Sequence, residues 1–256
     1  MSALVLAVLF IGGAVLYAVV GVLIGRKLVR RHIAEGHNDV LVPLFLTAGV
    51  MYAVLLAFMV VAEWESYDAA HANTAEEAAL LVPLYRQTVV MAEENGDRMR
   101  KVIRSYAEDV IHGWEDFQAG HRNTVAGKDV NDVFRVFATM TPATKARELI
   151  YAQFLETFSH VILDRNKRYL QASESLSWVM WLGAIGGGAV TVGMTFFLYM
   201  DRRWPHVAMV SIMAALFGTL LFMMAVLSRP FVGPLAIEPA PFETSLSVFD
   251  DVDRGN

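Results

Sequence analysis

Residues 40–62 read VLVPLFLTAGVMYAVLLAFMVVA, an apolar run without any Asp, Glu, Lys or Arg. An α-helix needs about 20 such residues to cross the hydrocarbon core of a bilayer. Three further segments are as long and equally free of charge, at residues 4–25, 176–199 and 206–228. The sequence therefore predicts an all-α integral membrane protein with four transmembrane helices, in keeping with a hydrophobic content of 55%.

Residues 63–175 form the only long stretch suited to water, and they separate the two pairs of spans. Apolar residues recur there at steps of three and four, which predicts amphipathic helices. A capping box of Thr74 and Glu77 places one helix start, and Asn95-Gly96 its end. Further helices are expected at 97–119, 130–140 and 141–175, the last opened by Thr141-Pro142 and able to merge with the following span.

Each of these helices carries a single apolar face. For residues 97–119 the face comprises Ile103, Tyr106, Ala107, Val110, Trp114 and Phe117. Such faces must be buried against one another. The stretch therefore predicts a helical extramembrane bundle inserted between the second and third spans.

Basic residues set the expected topology. The short connections 26–39 and 200–205 are rich in Lys and Arg, which favours the cytoplasmic side of a bacterial inner membrane. A cleavable signal peptide is the rival interpretation of the first span, but only residues 1–3 precede its apolar run. The N-terminus, bundle and C-terminus are thus expected in the periplasm. The predicted domains are a hairpin at 1–62, the bundle at 63–175, a second hairpin at 176–228 and a proline-rich tail at 229–256.

Composition argues against several functions. The net charge of −5 offers no basic surface for nucleic acid, and there are no cysteines. A Walker-type phosphate loop, a His-Glu-x-x-His helix and a Gly-x-Ser-x-Gly elbow do not occur. No catalytic residue is predicted, and the chain is not expected to be an enzyme.

His112 lies between Glu108 and Glu115 on one helical face, a spacing that could bind a metal with help from Glu156 or His160. That face is opposite the apolar stripe, so solvation is the simpler interpretation. We predict no metal and no other cofactor.

Glycines are concentrated in two spans. Gly21 and Gly25 lie in the first span, and Gly183, Gly186, Gly187, Gly188 and Gly193 lie in the third. Close packing of helices is one explanation. The alternative is an oligomeric pore lined by glycine carbonyls and by the hydroxyls of Thr191 and Thr195.

Arg165, Arg168 and Arg229 lie near the outer ends of the spans. They either anchor the chain at lipid headgroups or form an electropositive vestibule that attracts anions. The tail that begins at Arg229 is rich in proline, which predicts an extended segment with a frayed end beyond Asp250.

The tail contains Arg229-Pro230-Phe231-x-Gly233 and Pro239-x-Pro241-Phe242. With these motifs, with Glu77-Ala78 and Leu84-Tyr85-Arg86, and with the order of its spans, the chain resembles a bacterial family of bestrophin-like membrane proteins of unknown function. The resemblance implies a helical inner-membrane protein linked to anion channels. A run of acidic calcium ligands, as in true bestrophins, is missing, so calcium gating is not expected.

The sequence favours an oligomeric ion channel that passes small anions through a pore lined by glycine-rich helices. Its expected partners are membrane lipids, further copies of the chain and inorganic ions. The alternative is an envelope interaction or sensory protein whose bundle binds a partner or ligand. A membrane enzyme or lipid-handling protein is a third possibility.

Overall fold

The computed structural model describes residues 2–29, 37–91, 93–121, 123–142 and 144–255. The described residues form helices and connections, with no β-strand among them. The helices are α1 (Ala3–Ala7), a π-helical turn (Val8–Gly12), α2 (Gly13–Val29), α3 (His37–Gln87), a 3-10 turn (Thr88–Val90), α4 (Glu93–His112), α5 (Trp114–Gln118), α6 (Thr124–Ala138), α7 (Lys145–Ser173), α8 (Trp178–Thr195), α9 (Arg203–Leu227) and α10 (Ala240–Asp253).

Four helical segments of the described chain are long and apolar enough to cross a membrane. They are Ala3–Lys27, His37–Val90, Trp178–Thr195 and Arg203–Leu227. Each overlaps one of the four predicted spans. The predicted fold class, an all-α integral membrane protein with four spans and a helical bundle between the second and third, is confirmed.

The chain divides into two compact units. The membrane unit comprises the residues up to Tyr67, Ser175–Arg229 and Gly233–Leu235. The bundle unit comprises Asp68–Glu174, Pro230–Val232 and the residues from Ala236 onward. The two units are described separately below.

Two glycines of α2 accommodate Phe196 in the membrane unit. A Cβ at Gly21 would overlap the ring of Phe196, and a Cβ at Gly25 would lie 2.6 Å from its carbonyl oxygen. Small residues allow this approach because no side chain separates the two backbones.

The ring of Tyr52 fills a similar recess on α8. A Cβ at Gly187 would lie 2.6 Å from this ring, and one at Gly188 would lie 2.8 Å from its hydroxyl oxygen. The hydroxyl donates a hydrogen bond of 2.6 Å to the carbonyl of Ala184. By contrast, none of the residues that the structure describes comes within 4 Å of a Cβ added at Gly183 or Gly186. The glycines of α8 thus differ in role: some receive an aromatic ring and others leave an open face.

The two short connections of the membrane unit lie together. Arg26 donates a 2.8 Å hydrogen bond to the carbonyl of Met200, and Asn38 donates one of 3.0 Å to the carbonyl of Tyr199. The sequence placed both connections on one side of the membrane. Two of the basic residues used in that argument, Arg30 and Arg31, lie outside the described residues.

The predicted helix start at Thr74 is wrong, because α3 runs without interruption from His37 to Gln87. Thr74 donates its hydroxyl to the carbonyl of Ala70, and Glu77 is engaged elsewhere. A capping box serves the unpaired N–H groups at the beginning of a helix. In a continuous helix these groups already have partners one turn earlier.

Three further boundaries differ from those predicted. Gly96 lies inside α4 rather than at a helix end, and α7 begins at Lys145 with Thr144 as its N-cap rather than at Pro142. Helices α7 and α8 do not merge, because the chain is non-helical between Glu174 and Ser177. Ser177 then caps α8 by accepting the N–H of Met180, which starts a separate helix.

The tail is not wholly extended and does not fray at Asp250, since it contains α10 (Ala240–Asp253). Pro239 is the N-cap and Pro241 lies in the first turn. Proline is tolerated there because the first N–H groups of a helix have no intrahelical acceptor. The density of prolines therefore marks the start of a helix in this tail.

Candidate functional site

A buried ion pair between Glu77 of α3 and Arg168 of α7 lies in the bundle unit. Arg168 Nε donates to Glu77 Oε2 at 2.7 Å, and its Nη2 donates to Oε1 at 3.0 Å. Glu77 is 0% exposed and Arg168 is 2% exposed. Two parallel bonds between a guanidinium and a carboxylate fix both distance and orientation. The pair therefore joins α3 to α7 in one geometry.

Tyr106 of α4 donates a further hydrogen bond to the Glu77 carboxylate. Its hydroxyl donates to Glu77 Oε1 at 2.6 Å. Burial raises the pKa of Tyr106 well above its ordinary value, and the negative charge of Glu77 raises it further. The phenol therefore keeps its proton and remains a donor, so that three helices meet at one carboxylate.

Four aromatic rings surround the guanidinium of Arg168, and we call them the aromatic cage. Their centroids lie 4.8 to 5.8 Å from its central carbon; the rings are those of Phe117, Trp114, Tyr169 and Phe242. Aromatic faces attract a cation more strongly where water is excluded. Burial acts to lower the pKa of Arg168, but the charge and hydrogen bonds of Glu77 outweigh it and the pKa is raised. Arg168 is therefore permanently charged.

The tail contributes directly to this cage. Phe242 of α10 is fully buried, and Phe231 packs edge-on against Phe117 with centroids 5.0 Å apart. Trp114 donates its indole N–H to the carbonyl of Ile237 at 3.1 Å. The N–H of Ile237 in turn reaches the carbonyl of Pro230 at 2.9 Å, which closes the intervening loop. Within that loop Gly233 has φ of +108°, a conformation that favours glycine.

The motif residues therefore have distinct places. Glu77 and Phe242 contact Arg168, while Pro230 and Phe231 hold the loop that reaches the cage. Pro239 and Pro241 start α10. Arg229 is exposed and belongs to the membrane unit.

A second charged cluster secures the end of α10. Arg104 of α4 donates to Asp250 at 2.8 Å and to Asp253 at 2.9 Å. Tyr85 also donates to Asp253, at 2.7 Å, and its ring stacks on Phe249 with centroids 4.0 Å apart. The contacts of Asp253 lie within the segment beyond Asp250 that the sequence predicted to fray.

Arg168, which the sequence placed among the basic residues of a possible vestibule, is buried in the bundle unit. Its guanidinium is enclosed by the cage and neutralised by Glu77, because a buried charge requires an opposite partner. Arg165 is only half-buried and lies 5.3 Å from the centroid of Tyr169. It forms no ion pair with any described residue.

The two threonines predicted to line a pore are buried inside the membrane unit. Thr191 donates to the carbonyl of Gly187 at 2.8 Å, and Thr195 donates to that of Val192 at 2.5 Å. Both are at most 3% exposed. In an apolar interior a hydroxyl finds its nearest acceptor on its own helix. Neither hydroxyl is therefore free to meet an ion at the surface of the chain.

No group of three His, Asp or Glu side chains within the described ranges could hold a metal ion. The Nδ1 atom of His112 lies 2.7 Å from the carbonyl oxygen of Glu108, and His112 is exposed. The predicted solvated face thus carries a local side-chain-to-backbone contact.

Sequence reasoning missed the caged ion pair itself. Tyr106, Trp114 and Phe117 were assigned to an apolar face, and they are indeed buried. One feature of the sequence could have indicated the site. Tyr106 and Trp114 each carry a hydrogen-bond donor on that apolar face, and such a donor needs a partner when it is buried. The partners lie in other helices and in the tail, so the spacing of residues along α4 and α5 does not reveal them.

Four apolar helices and a helical bundle closed around a caged ion pair define a polytopic α-helical membrane protein. The chain belongs to the Bestrophin-like family, whose domain matches it over residues 12–242. The family resemblance inferred from the sequence is confirmed. No curated protein sequence matches the chain.

Solved structures share the fold. Two crystal structures of variants of a bacterial bestrophin homologue from Klebsiella pneumoniae match it at 14% identity. One has a TM-score of 0.74, with 96% of this chain and 99% of that chain covered. The other has a TM-score of 0.73, with 98% of each chain covered. A crystal structure of a variant membrane protein also matches, with a TM-score of 0.68, 14% identity and coverage of 96% and 97%.

Proposed function

We propose that the protein is an oligomeric ion channel of the bacterial inner membrane that passes small anions. The observation that supports this most is the match of fold and family along almost the whole chain to bestrophin homologues. The family is linked to anion channels.

The pore is proposed to form between copies of the chain. In the membrane unit, Tyr52 and Phe196 fill the recesses beside the glycines, so the helices of one copy pack without a channel at these points. A closed ring of copies would create a central passage. The open face of α8 around Gly183 and Gly186 is the surface we assign to that passage, because no described residue lies within 4 Å of a Cβ added at either glycine.

Fixed positive charge is proposed to favour anions near the mouth. Arg229 is exposed directly after α9, and Arg165 is half-buried without an ion-pair partner among the described residues. Basic residues at a narrow entrance raise the local anion concentration. Arg168, Thr191 and Thr195 are left out of this proposal because they are buried.

The orientation belongs to the same proposal. The basic connections after the first and third spans favour the cytoplasm for both. The bundle and the tail would then lie in the periplasm, together with the N-terminus.

Ion flux into liposomes tests the proposal. Purified full-length protein is reconstituted, and chloride and potassium gradients are applied separately. We expect chloride flux above that of empty liposomes. In Arg229→Gln we expect the ratio of chloride flux to potassium flux to be lower than in the parent protein. Arg98→Gln, an exposed arginine of α4, is the matched control and should behave as the parent protein. Absence of flux across a range of pH, voltage and calcium would reject the channel.

One observation favours the alternative, a partner-binding envelope protein. Helix α7 exposes Leu149, Leu163 and Leu170, which are 64%, 49% and 62% exposed. Their spacing by multiples of seven residues places them on one face of the helix. A stoichiometric partner that copurifies with the parent protein, and is lost when Leu163 is replaced by Glu, would support this function over a channel.

A further inference from the structure

A carboxyl group is buried between two helices of the bundle unit. Asp129 of α6 is 9% exposed and faces α4. Ser105 of α4 donates its hydroxyl to Asp129 Oδ1 at 3.4 Å, a long hydrogen bond. The other oxygen, Oδ2, is buried and has no hydrogen-bond partner among the described residues. An ionised carboxylate in this position would lack the donors that normally compensate for lost water.

The charges around Asp129 are mostly negative. Asp109 lies one turn after Ser105, the α4 residue that contacts Asp129, and its charge raises the pKa of Asp129. Asp132 adds a weaker negative charge from α6 itself, where it is paired with Arg135 at 2.8 Å. From α7, Arg165 reaches the neighbouring turn of α6, with its Nη2 3.3 Å from the position of a Cβ at Gly127.

The balance of these effects favours the protonated acid. Burial raises the pKa of Asp129 to about 7, and the Asp109 carboxyl contributes in the same direction. Arg165 would act in the opposite direction, yet the net shift is upward. Two carboxyl groups that share one site do not both ionise readily, so one keeps its proton.

We propose that Asp129 and Asp109 form a proton-binding site that holds α6 against α4 while it is occupied and loosens that contact when the proton leaves. The bound proton removes one of the two like charges. The protonated Asp129 can then donate a hydrogen bond to the carboxylate of Asp109. This inference does not depend on ion conduction.

The site is connected to the aromatic cage. Asn123, the N-cap of α6, donates its backbone N–H to the hydroxyl oxygen of Tyr169 at 3.2 Å, and the Tyr169 ring belongs to the cage. Asn123 also donates its side-chain amide to the carbonyl of Asp109. A loosened α6 would therefore disturb contacts on both α4 and α7.

The direction of the pH dependence follows from linkage. An acid with a higher pKa in the docked state binds its proton more tightly there than when exposed to water. Docking is therefore strongest at low pH, weakens by up to about tenfold per pH unit between roughly pH 4 and pH 7, and levels off above that.

Hydrogen–deuterium exchange on the full-length protein in detergent tests this site. Amide exchange of residues 124–138 is measured from pH 5 to pH 8.5 and corrected for the intrinsic change in rate. We expect the protection of this segment to fall by at least tenfold between pH 5 and pH 7 in the parent protein. In Asp129→Asn, a neutral side chain of the same shape, protection should stay high at every pH.

Two further variants separate this site from other titrating groups. Asp109→Asn removes the neighbouring charge, so the midpoint of the transition should move to lower pH. Asp132→Asn, on the same helix, should leave the midpoint within about 0.3 pH units of the parent value. Protection of 124–138 that does not change with pH in the parent protein, or an unchanged transition in Asp129→Asn or Asp109→Asn, would overturn the proposal.

Discussion

Glu77 and Arg168 are 91 residues apart in the sequence, and their side chains form a fully buried ion pair with two hydrogen bonds of 2.7 and 3.0 Å. The pair links a helix that continues from the second span to the helix that precedes the third. A buried pair of charges adds little net stability over apolar residues, but each charge becomes costly once its partner is removed. The pair is therefore best suited to holding one arrangement of the bundle.

Removal of one charge should destabilise the protein. In Glu77→Gln the guanidinium of Arg168 remains buried without its counter-charge, which we expect to cost roughly 3–5 kcal/mol. The melting temperature of the purified variant, measured by thermal unfolding, should be several degrees lower than that of the parent protein. Glu76→Gln is the control, because Glu76 is the exposed neighbour of Glu77. Equal melting temperatures for the two variants would show that the pair has no such role.

The tail should detach when its anchor is shortened. Phe242 is fully buried against the guanidinium of Arg168, so Phe242→Ala leaves a cavity and should cost about 3–5 kcal/mol. Limited proteolysis should then cut more rapidly between residues 230 and 255. Phe134→Ala removes the same atoms at a position that is 46% exposed and should leave the cleavage rate close to that of the parent protein.

Loss of Arg104 should loosen the end of α10 more mildly. Its bonds to Asp250 and Asp253 are partly exposed, and such pairs contribute at most about 1 kcal/mol each. Amide exchange of residues 246–253 should rise by a few-fold in Arg104→Gln, and the parent protein should show a similar rise at high salt. Arg98→Gln, on the same helix, serves as the control. A salt-independent exchange rate in the parent protein would argue against the electrostatic contact.

Two adjacent glycines of α8 should respond differently to one methyl group. Gly187→Ala places a Cβ against the ring of Tyr52, so the membrane unit should become less stable and the protein less monodisperse on gel filtration. Gly186→Ala meets open space and should leave stability unchanged. If Gly186→Leu keeps the protein folded yet lowers ion flux, the open face of α8 lies along the passage. Unchanged flux would place the passage elsewhere.

Several features follow from the sequence alone. Four charge-free runs of membrane length predict the spans, since a backbone in lipid must satisfy its own hydrogen bonds within a helix. Periodic apolar residues predict which face of residues 97–119 is buried, and Tyr106, Val110 and Trp114 are buried as expected. The order of the spans, together with the quoted motifs, predicts the family whose domain matches residues 12–242. These are local patterns, and each can be recognised within a short stretch of chain.

Only the tertiary structure decides what the charged and capping residues do. Thr74-x-x-Glu77 has the pattern of a helix start. However, α3 continues through it, and the Glu77 carboxylate forms an ion pair with Arg168. Arg168 looks like an exposed basic residue at the end of a helix. It becomes buried because a carboxylate 91 residues away, three rings from other segments and the ring of its neighbour Tyr169 surround it. The free energy of a buried charge depends on its partners in space, and short-range sequence patterns carry no information about them.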